Sequence, residues 1–432
     1  MGCSDSNRFP PIETKESYKD IQNRLSTNNE PPSKNENTDN NNEIKDKILI
    51  KENDENKFEY RNKINLIYYA KSQGIYEIFG EGFVIKNENN IDLIINGKES
   101  ALVHECELKE GDNIITLKIK NELTFLSFMF MGCSSLKNID ELKYLDVRKS
   151  KSLEFMLSYC PLLSDISPLL YWDVSNCQRF TGLFAGCTSL TNINALVNWN
   201  VSNSYEFAEM FSGCSKLTSL IPLISWNVSS GITFTNMFKG CSLLLDIKPL
   251  KDWDVSKGED FEGMFDGCSR LYDIYSLENW NVSNGNNFSF MFNKCSFICS
   301  LIPLKKWNVS KGKDFQSIFS GLDKISNINP LKNWDVSSSK NFSNFFNGCS
   351  NLLSIYPLIN WNTVNCNNFK RMFAGCSSLL NLISLRKWNL LKAEKFNNMF
   401  DRIVLKRDRN LLLYWNLKSF DDYFRIDDPY SH

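Results

Sequence analysis

The chain has 432 residues, of which 42% are hydrophobic, and its formal net charge is −1. This balance shows no basic excess of the kind that marks a nucleic-acid-binding protein, and no apolar run of about 18 residues predicts a transmembrane helix. The length allows one long repeat domain with an attachment at each end.

The first six residues, MGCSDS, fit the pattern for N-myristoylation, with Gly2 exposed after removal of Met1 and Ser6 in place. One myristoyl chain gives only reversible membrane binding, so a second signal is needed. Residues 1–57 hold nine Lys and Arg against twelve Asp and Glu. A polybasic patch is therefore absent from this segment, and palmitate on Cys3 is the remaining second signal. A chance match to a short motif is the alternative.

Residues 1–57 are rich in Asn, Glu, Lys and Ser, which predicts a disordered tether. No apolar segment follows Met1, so no signal peptide is predicted, and we expect the cytoplasmic face of a membrane and reduced thiols. Glycosylation triplets lie within the repeats on a return segment that we expect to be tightly packed, where glycans would crowd between coils. They start at Asn200, Asn227, Asn281 and Asn308.

Residues 58–122 change to short apolar alternations such as INLIYYA and IITLKIK, which predict a small β-rich module. Asn96-Gly97 follows IDLII as a hairpin signal. Because the end of a repeat stack needs a differently built cap, we interpret this module as the N-terminal cap of the following repeats. An independent ligand-binding module is the alternative.

Residues 123–403 repeat every 27 residues, and self-similarity at such a period predicts a solenoid in which each coil stacks on its neighbours. A leucine column runs from Leu142 to Leu385, and Leu322 replaces one cysteine. The cysteines are Cys133, Cys160, Cys187, Cys214, Cys241, Cys268, Cys295, Cys349 and Cys376, and the tryptophans recur from Trp172 to Trp388.

One unit illustrates the predicted coil. Phe207, Met210 and Phe211 have the i, i+3, i+4 spacing of a short helical turn, which Gly213 ends. The segment 217–220 then has the spacing of a short strand in a parallel sheet. A proline follows in most copies and ends strand pairing, and Trp and Val alternate inward on the return segment. Residues 404–432 lose the register and are predicted to form the C-terminal cap.

The register F..MF.GCSSL..I..L..W(D/N)VS resembles the BspA-like class of leucine-rich-repeat proteins, found in bacterial surface lipoproteins and in large protist families. The resemblance covers about residues 123–403 and implies an α/β solenoid of about ten repeats, with parallel strands on one face and short helices on the other. Members of this class are mostly adhesins, surface antigens or uncharacterised proteins. The resemblance therefore constrains the fold more than the function.

The cysteines share equivalent slots, and we interpret them as small, polarisable core residues. Strand spacing would permit disulfides between coils, but Leu322 occupies one slot without disturbing the register, which a disulfide framework would not tolerate. The chain has no CxxC pair and only two histidines, His104 and His432. We predict no metal, no cofactor and no small-molecule substrate.

Two columns flank the inward leucines of the predicted strand. The earlier column is small and polar throughout: Asn138, Asp165, Asn192, Ser219, Asp246, Asp273, Ser300, Asn327, Ser354 and Asn381. The later column starts as Asp140, Ser167 and Asn194, becomes apolar, and supplies the predicted partner-binding residues Ile221, Lys248, Tyr275, Ile302, Tyr356 and Ile383. Exposed Ile and Tyr in one stripe are typical of a protein-binding surface. β-propensity on a partly covered sheet is the alternative.

The sequence shows no P-loop, dinucleotide fingerprint or HExxH motif, and neither histidine lies in the repeats. We therefore expect no catalysis. The predicted function is a protein-interaction scaffold, anchored by lipid to the cytoplasmic face of a membrane. A cell-surface or secreted adhesin of the BspA-like type is the alternative, and a soluble regulatory module without lipid is a weaker one.

Overall fold

The computed structural model describes residues 60–403, so the predicted tether and C-terminal cap lie outside the described residues. The elements up to the first coil are β1 (Lys63–Ala70), β2 (Gly74–Glu77), α1 (Glu81–Asn87), β3 (Ile91–Ile95), β4 (Lys98–Ala101), β5 (Glu105–Leu108), β6 (Gly111–Ile119) and β7 (Leu136–Asn138). Ten 3-10 helices follow: η1 (Asp140–Tyr144), η2 (Ser167–Tyr171), η3 (Asn194–Leu196), η4 (Ile221–Leu223), η5 (Lys248–Leu250), η6 (Tyr275–Asn279), η7 (Ile302–Lys306), η8 (Asn329–Asn333), η9 (Tyr356–Asn360) and η10 (Ile383–Lys387).

The first strands form a five-stranded antiparallel sheet in the order β4-β3-β6-β1-β7, and β2 and β5 form a separate pair. The predicted hairpin is confirmed: Ile95 pairs with Lys98 across Asn96 and Gly97, whose φ angles are 47° and 85°. Positive φ at both turn residues is what a two-residue hairpin of this type requires.

The sheet is joined to the repeats through β7, which lies in the first coil. Its Leu136 pairs with Tyr68 of β1, and both side chains are buried. β1 alternates buried and exposed residues, as the sequence pattern predicted. The β-rich segment therefore packs against coil 1 through a shared sheet and a shared core.

The repeats form stacked coils, which we number 1 to 10 by their cysteine positions, from Cys133 to Cys376, with Leu322 in coil 8. Equivalent side chains stack on one another: the Phe234 and Phe261 ring centroids are 5.7 Å apart, and those of Trp253 and Trp280 are 6.5 Å apart. The Phe, Met, Cys, Leu and Trp columns are buried. The predicted repeat solenoid is confirmed, and its core is a set of side-chain columns.

The tryptophan column also links coils by hydrogen bonds. The indole Nε1–H of Trp226 donates to the Leu196 carbonyl of the preceding coil at 3.0 Å, and Trp253 donates to Leu223 at 3.1 Å. The same bond recurs from Trp172 to Trp388. A buried indole needs an acceptor, and from Trp172 onward the preceding coil supplies it, whereas Leu145 fills this slot in coil 1.

The predicted helical turn was wrong. From Phe207 to Gly213 the chain makes successive tight turns, with Glu209 at φ 57° and Gly213 at φ 75°. These left-handed residues prevent a helix. They also orient every second peptide group along the stacking axis, so that its N–H points to the next coil. The N–H of Phe207 donates to Thr233 at 3.1 Å, and the N–H of Glu209 donates to Thr235 at 2.7 Å.

The predicted strand at 217–220 was also wrong. It is extended, but among the described residues its column forms only one parallel bridge, Asp246 to Asp273. Parallel bridges run instead in the column just before the phenylalanines, from Ser152 to Lys395, one per coil step. A 3-10 helix begins immediately after the predicted strand, as at Ile221, so the extended segment is short.

The recurrent proline occupies the start of the 3-10 helix and does not end a strand. Pro222, Pro249 and Pro303 are the second residues of η4, η5 and η7. A residue in the first helical turn has no helical partner for its N–H, and the fixed φ of proline suits the helix.

Candidate functional site

The polar column that precedes the 3-10 helices has a structural role. The Oδ1 of Asp273 accepts a hydrogen bond from the Tyr275 N–H at 2.9 Å, and the Oδ1 of Asp246 accepts one from Lys248 at 3.1 Å. Ser219 does the same through Oγ to Ile221 at 3.3 Å. The bond recurs in every coil from Asn138 to Asn381. This column was predicted to lie on an outward strand face, whereas its side chains hold the N–H groups that begin the 3-10 helices.

The six predicted partner-binding residues all begin a 3-10 helix, and all are exposed. The five uncharged members are 46% to 61% exposed: Ile221, Tyr275, Ile302, Tyr356 and Ile383. Lys248 is likewise exposed. They occupy coils 4–7, 9 and 10, with Asn329 between them in coil 8. The structure therefore brings the predicted residues together as one outward column, on 3-10 helices and not on a parallel sheet.

A second exposed apolar column was missed in the sequence. It lies three residues before the first, and its large members are Leu245, Tyr272, Leu353 and Leu380, the last 70% exposed. Neighbouring members meet through the backbone: the Tyr272 N–H donates to Leu245, and the Leu380 N–H donates to Leu353, each at 3.1 Å. The signal was present, since this register position changes from Ser and Thr in coils 2–4 to Leu in coil 5 and Tyr in coil 6.

We call these two columns, together with the exposed residues that end the 3-10 helices, the helix face. The charged side chains of the helix face interact with charges in the same coil or in an adjacent coil. The Asp246 carboxylate raises the pKa of Lys248, and Tyr272 and Asp273 add to the effect. Lys306 pairs with Glu278 of the preceding coil at 2.8 Å. Coils 5 and 6 therefore contribute both signs of charge.

The column cysteines are buried free thiols. Cys241 Sγ donates to the Phe211 carbonyl at 3.3 Å and Cys268 donates to Phe238 at 3.1 Å, so each thiol bonds the coil before it. Burial raises the pKa of the Cys187 and Cys376 thiols to about 12. A thiol is nucleophilic only as the thiolate, so these groups are poor nucleophiles near neutral pH. The core interpretation was incomplete, because the column thiols from Cys160 to Cys376 are also hydrogen-bond donors.

Within residues 60–403, no cluster of His, Cys, Asp and Glu could hold a metal ion, and no helix is long and apolar enough to cross a bilayer. The predicted lipidation residues Gly2 and Cys3 lie outside the described residues.

The glycosylation triplets differ from the prediction. Their asparagines, at 200, 227, 281 and 308, are exposed, whereas the Trp and Val beside them are buried. Each Asn side chain accepts a hydrogen bond from the serine N–H two residues on, as Asn227 does from Ser229 at 3.1 Å. Tight packing of these side chains is therefore no argument against a glycan.

Comparison with known proteins gives a family but no function. No curated protein and no solved structure matches the chain. The family model described as "Mycoplasma protein of unknown function, DUF285" matches four overlapping stretches, residues 124–246, 153–271, 233–356 and 299–415. Together these matches cover more than half of the chain and coincide with the repeats. The chain therefore belongs to the DUF285 family of repeat proteins.

Proposed function

We propose that this protein is a non-catalytic scaffold, tethered to a membrane, which binds a protein partner through its helix face. The partner-binding residues in this proposal are Ile221, Lys248, Tyr275, Ile302, Tyr356 and Ile383.

The observation that carries the proposal is the first position of the 3-10 helices. Ser167, Asn194 and Asn329 occupy it in η2, η3 and η8 and form the same helix. Folding therefore does not require an apolar side chain there. Ile302 and Tyr356 are nevertheless more than half exposed in the same slot. Exposed apolar side chains aligned over several coils are characteristic of interaction surfaces.

The chemistry of the thiols supports a role without catalysis. General acid–base or nucleophilic catalysis needs an activated group with an orienting partner. Burial holds the column thiols in the protonated form. Their hydrogen bonds go to backbone carbonyls of the preceding coil and not to a base.

The tether proposal rests on MGCSDS alone. Myristate on Gly2 with palmitate on Cys3 would supply the two chains that stable anchoring requires. Both modifications place the protein on the cytoplasmic face of a membrane, with the solenoid displayed on the tether.

The alternative is a surface or secreted adhesin of the BspA-like class. The register resembles that class, and the exposure of Asn227 and the other triplet asparagines favours this candidate. Glycans on these residues and an acyl chain on Gly2 occur on opposite sides of the membrane. Mass spectrometry of the purified native protein therefore distinguishes the two candidates.

The binding proposal is tested with Tyr275→Ala combined with Ile302→Ser. These exposed residues begin helices on adjacent coils near the middle of the column, where interface energy concentrates. We expect the double variant to bind the partners that the intact lipidated protein captures at least tenfold more weakly, which is a loss of about 1.4 kcal/mol of binding free energy. Its melting temperature should be unchanged.

The matched control is Ser167→Ala with Asn194→Ala, in the same slot of coils 2 and 3, which should leave capture unchanged. Equal capture by the two double variants would refute binding at this column. Unfolding of the Tyr275 and Ile302 variant would show that these side chains contribute to the core.

A further inference from the structure

The helix face changes its charge at coil 7. In coils 7–10 the segments that span it, residues 299–306, 326–333, 353–360 and 380–387, contain no Asp or Glu. Their cations are Lys305, Lys306, Lys332, Arg386 and Lys387. The equivalent segments of coils 5 and 6 contain Asp246, Asp252, Asp273 and Glu278. The helix face is therefore mixed in charge over coils 5 and 6 and purely basic beyond them.

The net charge of the whole solenoid changes sign at the same coil. Residues 295–403 hold fourteen Lys and Arg against five Asp and Glu, a net charge of +9. Residues 123–294 hold thirteen against seventeen, a net charge of −4. A partner near coils 7–10 thus meets a positive potential from both the contact surface and the surrounding coils.

The cations lie beside the apolar column. In a 3-10 helix the side chains at i and i+3 eclipse. Lys305 therefore lies on the same side of η7 as Ile302, one turn further along, and Lys332 lies in the same way relative to Asn329 on η8. Both lysines are exposed, and within residues 60–403 neither forms an ion pair. They can therefore meet an incoming carboxylate without first breaking an ion pair within the described part of the chain.

The apolar residues of this region are also accessible. Leu353, Tyr356, Leu380 and Ile383 are all exposed. Four coils at the usual strand separation of about 4.8 Å span about 14 Å, which matches about four or five residues of an extended chain.

We propose that coils 7–10 bind a short acidic segment of a protein partner, with large apolar side chains seated on the exposed columns and carboxylates on the lysine side. The inference rests on the proposed function and names the chemistry of its partner. An anionic bilayer would satisfy the lysines, but Ser326 and Asn329 interrupt both apolar columns at coil 8. A peptide can match such a gap residue by residue, whereas insertion into a bilayer needs a continuous apolar surface.

The test is selection of binders from a displayed library of random peptides on the full-length protein, with depletion on the Lys305→Glu, Lys332→Glu variant. We expect peptides rich in Asp and Glu with at least one Leu, Ile, Phe or Trp. A selected peptide should bind the double variant at least tenfold more weakly, and its affinity should fall as salt is added. Lys313→Glu with Lys340→Glu is the matched control, since it makes the same charge change at exposed positions of coils 7 and 8 away from the helix face.

Neutral or basic peptides, no enrichment, or equal losses in the two double variants would overturn the inference. Adsorption to phosphatidylserine vesicles with no acidic peptides selected would assign the face to lipid and overturn it as well. If partner capture depends on Tyr275 and Ile302 but not on Lys305 and Lys332 at any salt concentration, the proposed function stands and only the acidic chemistry fails.

Discussion

Replacement of Cys241 by alanine measures what the cysteine column contributes to stability. The side chain is fully buried, and its Sγ donates to the Phe211 carbonyl at 3.3 Å. That carbonyl also accepts the Cys214 N–H at 3.1 Å, so it keeps one partner after the thiol is removed. The loss is therefore limited to one weak hydrogen bond and the packing of one sulfur atom.

The magnitude follows from those two terms. Removal of one buried methylene-sized group costs about 0.8 kcal/mol in transfer free energy. A residual cavity of roughly 20 Å³ adds about 0.5 kcal/mol. The weak thiol bond adds a few tenths, so we expect Cys241→Ala to lower the free energy of unfolding by about 1–2 kcal/mol. Cys241→Ser should cost more, because the shorter hydroxyl reaches the carbonyl poorly and leaves a buried polar group.

Urea unfolding followed by tryptophan fluorescence measures these differences, with Ser242→Ala as the control. Ser242 neighbours Cys241 but is only partly buried, so its replacement should change stability by less than about 0.5 kcal/mol. A reducing agent should leave the wild-type midpoint unchanged, because the column thiols are free. An alanine variant as stable as wild type, or a midpoint that falls on reduction, would refute the reasoning.

Two further predictions concern the anchor and the alkaline limit. We expect Gly2→Ala to abolish membrane association and Cys3→Ser to make it weak and reversible, because one acyl chain is not enough; cell fractionation measures both, and undiminished pelleting of Gly2→Ala would contradict the anchor. Burial raises the pKa of the Cys187 and Cys376 thiols to about 12, whereas an unfolded thiol titrates near about 8.5. The contribution of these two thiols to stability is therefore fully present below about pH 8.5, and it falls by up to about 1.4 kcal/mol per thiol per pH unit as the pH rises towards 12. A urea midpoint that stays constant up to about pH 10 would be inconsistent with these thiols being buried.

The exposed apolar column was predictable because exposure follows from the repeat. Tyr275 and Ile302 share a register slot with Lys248, and a charged side chain is rarely buried, so the slot is expected to face solvent. The function of the neighbouring polar column was not predictable in this way. From the sequence, Asp246 and Asp273 are equally compatible with outward positions on a strand and with a turn whose side chain accepts a backbone N–H. Only the hydrogen bond from the N–H two residues later shows that they adopt the second role.

The sequence by itself determined the 27-residue period, the identity of the buried columns and the exposed column from Ile221 to Ile383, because each depends only on which residue types recur at one spacing. The tertiary structure decided the local conformation. Phe207, Met210 and Phe211 have a helical spacing, but the N–H groups of Phe207 and Phe211 bond to Thr233 and Met237 of the next coil, at 3.1 and 2.9 Å. The indole of Trp253 and the thiol of Cys241 likewise bond about 30 residues back along the chain. These bonds join residues that are close only after stacking, so no local window of sequence contains them, and they make the segment a row of turns instead of a helix.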